Sequence, residues 1–161
     1  MLTQEQLAVL KADILADPVL AQWAATGYMA EDIARTYGET VVPDWIVWRT
    51  SVDVDEIMRN GMDWTQVDNL TVGKARIWDW MTRLGNFDAS KPNIRAGIDA
   101  AWVGTAALLA VRAVVYTHCK RTATRSQKLF STGTGSTVSP ATMGYEADLT
   151  YQDVEAALAL P

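Results

Sequence analysis

His118 and Cys119 are the single histidine and the single cysteine of this 161-residue chain. A cysteine beside a histidine could be activated as a thiolate nucleophile. Neighbouring residues on a helix, however, point about 100° apart, so an imidazole at 118 does not reach a thiol at 119. Cys119 also shares an apolar face with Val115, Tyr116, Ala123 and Phe130, where a free cysteine behaves as a small hydrophobe. One histidine and one cysteine leave a zinc site or a disulfide framework without ligands or partners. The carboxylates Asp53, Asp55 and Glu56, like Glu31 and Asp32, sit at predicted helix starts, where they complement the positive end of the helix dipole. Thr132-Gly133-Thr134-Gly135-Ser136 has a superficial likeness to a phosphate loop, but it follows a predicted helix and no Gly-Lys-Ser/Thr completes it. Neither a catalytic centre nor a cofactor or metal site emerges, and the chain is expected not to be an enzyme.

Charge is more informative. The net −5 hides three blocks. Residues 1–110 hold nine basic and fifteen acidic side chains, 111–130 hold five basic and no acidic ones, and 131–161 hold four acidic and no basic ones. A chain this acidic repels nucleic acid and anionic membrane at long range. Locally, Arg121, Arg125 and Lys128 fall at i, i+4 and i+7, one narrow arc of a helix. Three readings of that arc stay open: a solvated surface, contact with DNA phosphates, or pairing with the acidic tail of a neighbouring copy. In the tail, Tyr145, Ala147, Leu149 and Tyr151 alternate with Glu146, Asp148, Thr150 and Gln152, the period of a strand. Such a strand could add to a sheet edge. Pairing of tail with basic face would be heterologous, which generates rings or filaments. Trp48, beside Arg49 in an extended segment, is a further candidate anchor, because tryptophan and arginine concentrate at interface hot spots.

The elements that must carry these residues are mostly helical. Thr3-x-x-Gln6 is a capping box opening a helix over about 4–16, and Asp17-Pro18 reads as an N-cap followed by proline at the first helical position. Ala30–Tyr37 is a short helix closed by Gly38. Val41–Thr50, rich in β-branched and aromatic residues, predicts an extended edge segment. Asp53-x-x-Glu56 starts another short helix, and Met62–Leu70 a further turn. Ile77, Trp78, Trp80, Met81 and Leu84 predict one apolar helix face. Twelve uncharged residues separate Asp99 from Arg112, too few for the roughly 20 that span a membrane, so 94–116 is expected to be a buried core helix pair broken at Gly104-Thr105, with a single long helix tolerating Gly104 as the alternative. The second of these is expected to run from Thr105 to about Phe130. Residues 131–144 lack the apolar surface to fold alone, and Thr150-x-x-Asp153 caps a last short helix. The expected fold is therefore mainly α, a small helical bundle (1–130) with an extended, partly β C-terminal arm (131–161) that orders on assembly. The seven tryptophans are expected to lie mostly in the core. Met1–Gln6 lacks the basic and apolar regions of a signal peptide.

Lys120-Arg121-Thr122-Ala123-Thr124-Arg125, Lys128-Leu129-Phe130, Thr132-Gly133-Thr134-Gly135-Ser136-Thr137, Ser139-Pro140-Ala141-Thr142 and Tyr151-Gln152-Asp153-Val154 resemble a family of small virion proteins of tailed bacteriophages. Leu10-Lys11-Ala12-Asp13-Ile14 and Val47-Trp48-Arg49-Thr50 extend the likeness, which is weakest over 51–92. The arrangement of a helical body with a C-terminal arm is similar to head-to-tail connector (adaptor) proteins, which sit in a ring under the portal. The resemblance implies a structural protein located in the virion and made in the bacterial cytoplasm. Its partners would be copies of itself in a ring and portal or tail proteins, close to packaged DNA and without a membrane. The acidic tail departs from that pattern. A capsid decoration or tail-completion protein, and a small helical DNA-binding regulator, are the alternatives.

Overall fold

The computed structural model describes residues 2–161. The chain is mainly α-helical, with nine α-helices and short two-stranded ladders among the described residues. It divides into two compact units. One joins the N-terminal segment up to Val47 with Thr122–Pro161, and the other is Trp48–Arg121. The expected division between a 1–130 body and a 131–161 arm therefore does not coincide with the observed one.

In the first unit, α1 (Gln4–Ala16) opens with the Thr3/Gln6 capping box, and Asp17 caps α2 (Pro18–Thr26) by accepting from the backbone of Val19 and Leu20. Gly27, in the left-handed region at φ 77°, ends α2, and α3 is Ala30–Gly38. The C-terminal helix α9 (Tyr151–Leu158) is started by the Thr150/Asp153 capping box and packs against α1 and α3. Leu149, Val154 and Ala157 are buried in one core with Leu10, Ile14, Leu20, Ile33 and Tyr37. Lys11 also donates to the carbonyl of Leu160. Residues 145–161 are thus part of the body rather than an arm, because Val154 and Ala157, at helical spacing on α9, and Leu149 before it are buried against α1 and α3. The expected strand over 145–152 is absent: only Tyr145 and Leu149 turn toward the core, and the alternation breaks at Ala147, which is exposed.

Residues 131–144 are ordered against the same unit. β5 (Ser131–Thr132) pairs antiparallel with β6 (Thr142–Met143), and Ala141 donates to the carbonyl of Ile46 at 2.8 Å. Ile46 in turn donates to Gly135 at 2.7 Å. Gly135 lies so close to Trp45 that a Cβ there would fall 2.1 Å from the indole. That contact, with φ at 62°, makes glycine obligatory at this position. The segment therefore lies on β1 (Ile46–Trp48), the extended segment expected from the sequence.

The second unit holds β2 (Val52–Asp53), α4 (Val54–Arg59), a 3-10 turn at Trp64–Gln66, α5 (Val72–Thr82), β3 (Asn86–Phe87), α6 (Pro92–Ala101) and α7 (Ala106–His118). Gly104 and the N-cap Thr105 separate α6 from α7 as expected. Trp78 of α5 and Trp102 after α6 meet edge to face at 5.3 Å inside a core that includes Ile57, Ile98, Val111 and Val115. The face expected for α5 splits. Trp78 is buried and Met81 half-buried, whereas Trp80 and Leu84 are exposed. Seven residues separate Leu84 from the start of α6 at Pro92.

The largest correction concerns 105–130. α7 ends at His118, Lys120–Thr122 is strand β4, paired with β1, and a separate helix α8 spans Arg125–Leu129. The cause is a second capping box: Thr124 accepts from Gln127 N–H while the Gln127 side chain accepts from Thr124 N–H. That reciprocal pair starts a new helix, and β-branched Thr122 and Thr124 favour the extended entry.

Candidate functional site

Because α7 stops early, Arg121, Arg125 and Lys128 do not share a helix face. Arg121, half-buried in β4, belongs to the second unit. Arg125 and Lys128 belong to α8 in the first.

Arg125 is committed internally. Its Nη2 lies 3.1 Å from Asp17 Oδ2 and 3.3 Å from Asp13 Oδ2, and its guanidinium sits 4.8 Å from the Tyr37 ring centre. Tyr37, fully buried, donates its hydroxyl to Asp13 Oδ2 at 2.5 Å. Burial, together with the Asp13 carboxylate, pushes the Tyr37 hydroxyl well above its ordinary pKa, so it stays a donor. The Leu20 N–H, against an opposing effect of burial, holds the Asp17 carboxyl below its usual value, with Arg125 and the Val19 N–H adding to the shift. This network binds α8 to the α1–α2 corner and to α3 by charge-assisted hydrogen bonds. Beside it lies a recess of about 540 Å³ whose walls include Asp13, Glu39, Val41, Arg125 and Lys128, and Lys128 Nζ rests 5.2 Å from the Trp45 ring. Charges of both signs line it, so it has no preference for an anion such as a DNA phosphate.

The tail residues are also in the first unit. Tyr145 stacks edge to face on Phe130 at 5.6 Å and donates to the Asp148 carbonyl at 3.3 Å. The Glu146 carbonyl accepts from Gln127 Nε2 at 3.3 Å. Asp148 is exposed, and Tyr151, at the first position of α9, is 49% exposed. Arg125 is thus paired with Asp13 and Asp17 of its own chain, while the tail acids Asp148 and Glu155 point to solvent.

Trp48, in the second unit, is half-buried between cations. Arg95 lies 4.7 Å and Lys120 Nζ 5.4 Å from its ring centre, and Tyr116 packs against it at 5.8 Å. Arg95 is fixed by donating to the carbonyls of Ala89 and Ser90, both at 2.7 Å. Trp48 therefore packs into its own unit instead of projecting as an anchor.

Two features escaped the sequence reading. The first is an ion cluster in the second unit. Glu56 pairs with Arg49 Nη1 at 2.9 Å and meets His118 Nδ1 at 3.3 Å, and His118 Nε2 faces the Asn60 carbonyl at 3.0 Å. The hydrogen bond from Arg49, then that from His118, lowers the Glu56 carboxyl below its usual range. Cys119 beside it is fully buried, and burial pushes its thiol up to about 12, a packed hydrophobe rather than a nucleophile. The second is a groove of about 390 Å³ along α5, lined by Val72, Ala75, Arg76, Asp79, Trp80 and Arg83. Trp80 is 66% and Val72 76% exposed. Arg76, Trp80 and Arg83 repeat the i, i+4, i+7 spacing of residues 121, 125 and 128, a signal present in the sequence.

Among the described residues no cluster of three or more histidine, cysteine or acidic side chains could hold a metal ion, and no helix is long and apolar enough to cross a membrane. No family model matches the chain, and no curated protein or solved structure matches it.

Proposed function

We propose that this chain is a structural, non-enzymatic protein of a tailed-bacteriophage particle, a head–tail connector subunit that assembles as a ring beneath the portal. The observation that carries the assembly role is the α5 surface, where Val72 and Trp80 line one groove with Arg76 and Arg83. Exposed tryptophan and arginine side by side are the residue types enriched at protein interfaces. Val72 and Trp80 leave apolar side chains exposed among the groove's charges, which a covering partner would bury. The virion assignment rests on the resemblance of residues 120–142 and 151–154 to small phage virion proteins. The regulator alternative loses support, since its basic helix face is divided between two units and Arg125 is neutralised by Asp13 and Asp17.

Deleting the gene from a phage that encodes the chain tests the reading. Electron microscopy of the lysate is expected to show DNA-filled heads and complete tails that remain unjoined. Joined particles with fragile heads would indicate a decoration protein instead. Normal particles accompanied by altered transcription would indicate a regulator.

A further inference from the structure

The α5 groove and the tail are complementary in charge. On α5, Val72, Ala75, Arg76 and Trp80 are accessible or half-accessible on one side while Trp78 faces the core. Arg83 is held by Asp79 at 2.9 Å, which leaves Arg76 as the groove's uncompensated charge. On α9, helical spacing puts Tyr151, Glu155 and Ala159 on one exposed side, with Gln152 and Ala156 beside them. The opposite side, Val154 and Ala157, is buried. Glu155 brings negative charge to that exposed side, Asp148 is exposed just before the helix, and neither forms an ion pair with a described residue. One surface is thus aromatic, apolar and cationic. The other is aromatic, small and anionic, at the end of the chain where no basic residue occurs after Lys128.

We infer that the α5 groove receives the exposed face of α9 from a second copy of this chain. The two faces are different patches of one molecule, so the contact is heterologous and repeats from copy to copy, closing into a ring when the rotation allows. The electrostatic part sets register and association rate, and Trp80 packing against the small face of α9 supplies the buried apolar area. This inference rests on the assembly reading above and names the surfaces that reading requires. It also relocates the pairing expected from the sequence. The tail acids pair with a neighbour, but through Arg76 on α5 rather than through Arg125.

Full-length A75C and A156C variants test it, because Ala156 is exposed, Ala75 is half-exposed at the groove, and the native Cys119 is buried and unreactive. Mixing the two variants at a concentration where the protein is oligomeric and adding a short bismaleimide is expected to give mixed 75–156 dimers as the main product. Arg76→Glu in the A75C variant should lower that yield several-fold, and Glu155→Arg in the A156C variant should restore part of it. Dimers of A75C alone would mean that α5 pairs with itself, and they would overturn the proposal, as would a yield indifferent to Arg76→Glu. The two readings fail separately. Unjoined heads and tails without mixed cross-links would sink this contact and leave the connector role standing. Mixed cross-links with normally joined particles would do the reverse.

Discussion

Two stripes of the molecule have the same spacing and opposite fates. Residues 121, 125 and 128 look like a cationic helix face, yet the backbone breaks between them and Arg125 turns inward onto Asp13, Asp17 and Tyr37. Arg76 and Trp80 lie on one intact helix, α5, with Arg83 as its C-cap, and Arg76 and Trp80 face solvent. A side chain's type and spacing say where it could point. Whether it is available depends on what the rest of the fold places beside it. Arg125 holds a core together, whereas Arg76 has no ion-pair partner among the described residues.

Ending the chain after Phe130 is the harshest way to break this contrast, since it removes α9 from the first unit. Leu149 and Val154 each contribute about 1.5–3 kcal/mol by burial, and a domain's net stability is only about 5–15 kcal/mol. Amide exchange is expected to lose its protection across α1 and α3. Retained protection there would show that the tail is an arm after all. Next in size is Trp102→Ala, which opens a cavity beside Trp78 and should cost about 3–5 kcal/mol in denaturant unfolding. Trp80→Ala, in the same unit, should stay within about 0.5 kcal/mol while weakening self-association.

Arg125→Ala leaves Asp13 and Asp17 without their cation and should cost about 1–3 kcal/mol. Arg76→Ala should leave stability nearly unchanged and act on assembly. Comparable destabilisation by both would erase the distinction between an internal and an outward arginine. The smallest expected effect concerns pH. Asp17 and Glu56 both titrate below their ordinary values of 3.8 and 4.5 when folded. The folded state therefore binds fewer protons than the unfolded one just below those values. Their contribution is fully present above them and is lost as pH falls through the lowered folded values. Asp17→Asn and Glu56→Gln should each flatten the acid limb of the stability curve, as followed by thermal melts between pH 2 and 6.

Most helix starts were legible because capping is local chemistry. Thr3 with Gln6, Asp17 with Pro18, Thr105, and Thr150 with Asp153 all open helices as their spacing implies. Thr124 with Gln127 has the same signature, but a regular basic spacing across Arg121, Arg125 and Lys128 suggested one continuous helix and hid it. The tail misled for a related reason. Tyr145 to Gln152 alternates like a strand, but Leu149 and Val154 are claimed by a groove between α1 and α3 that only the tertiary structure creates. The tryptophans show the limit most plainly. Trp78 and Trp80 are two residues apart on one helix, yet one is buried and the other two-thirds exposed. No periodicity tells which side of α5 the core will take, so the i, i+4, i+7 spacing of Arg76, Trp80 and Arg83 does not by itself mark a site.

Cryo-electron microscopy of intact particles that carry this protein tests the central claim most directly. The expected density is a closed ring of this chain at the neck, with Trp80 of each copy covered by α9 of its neighbour. A particle in which the chain is absent, or present with α5 open to solvent, would contradict it.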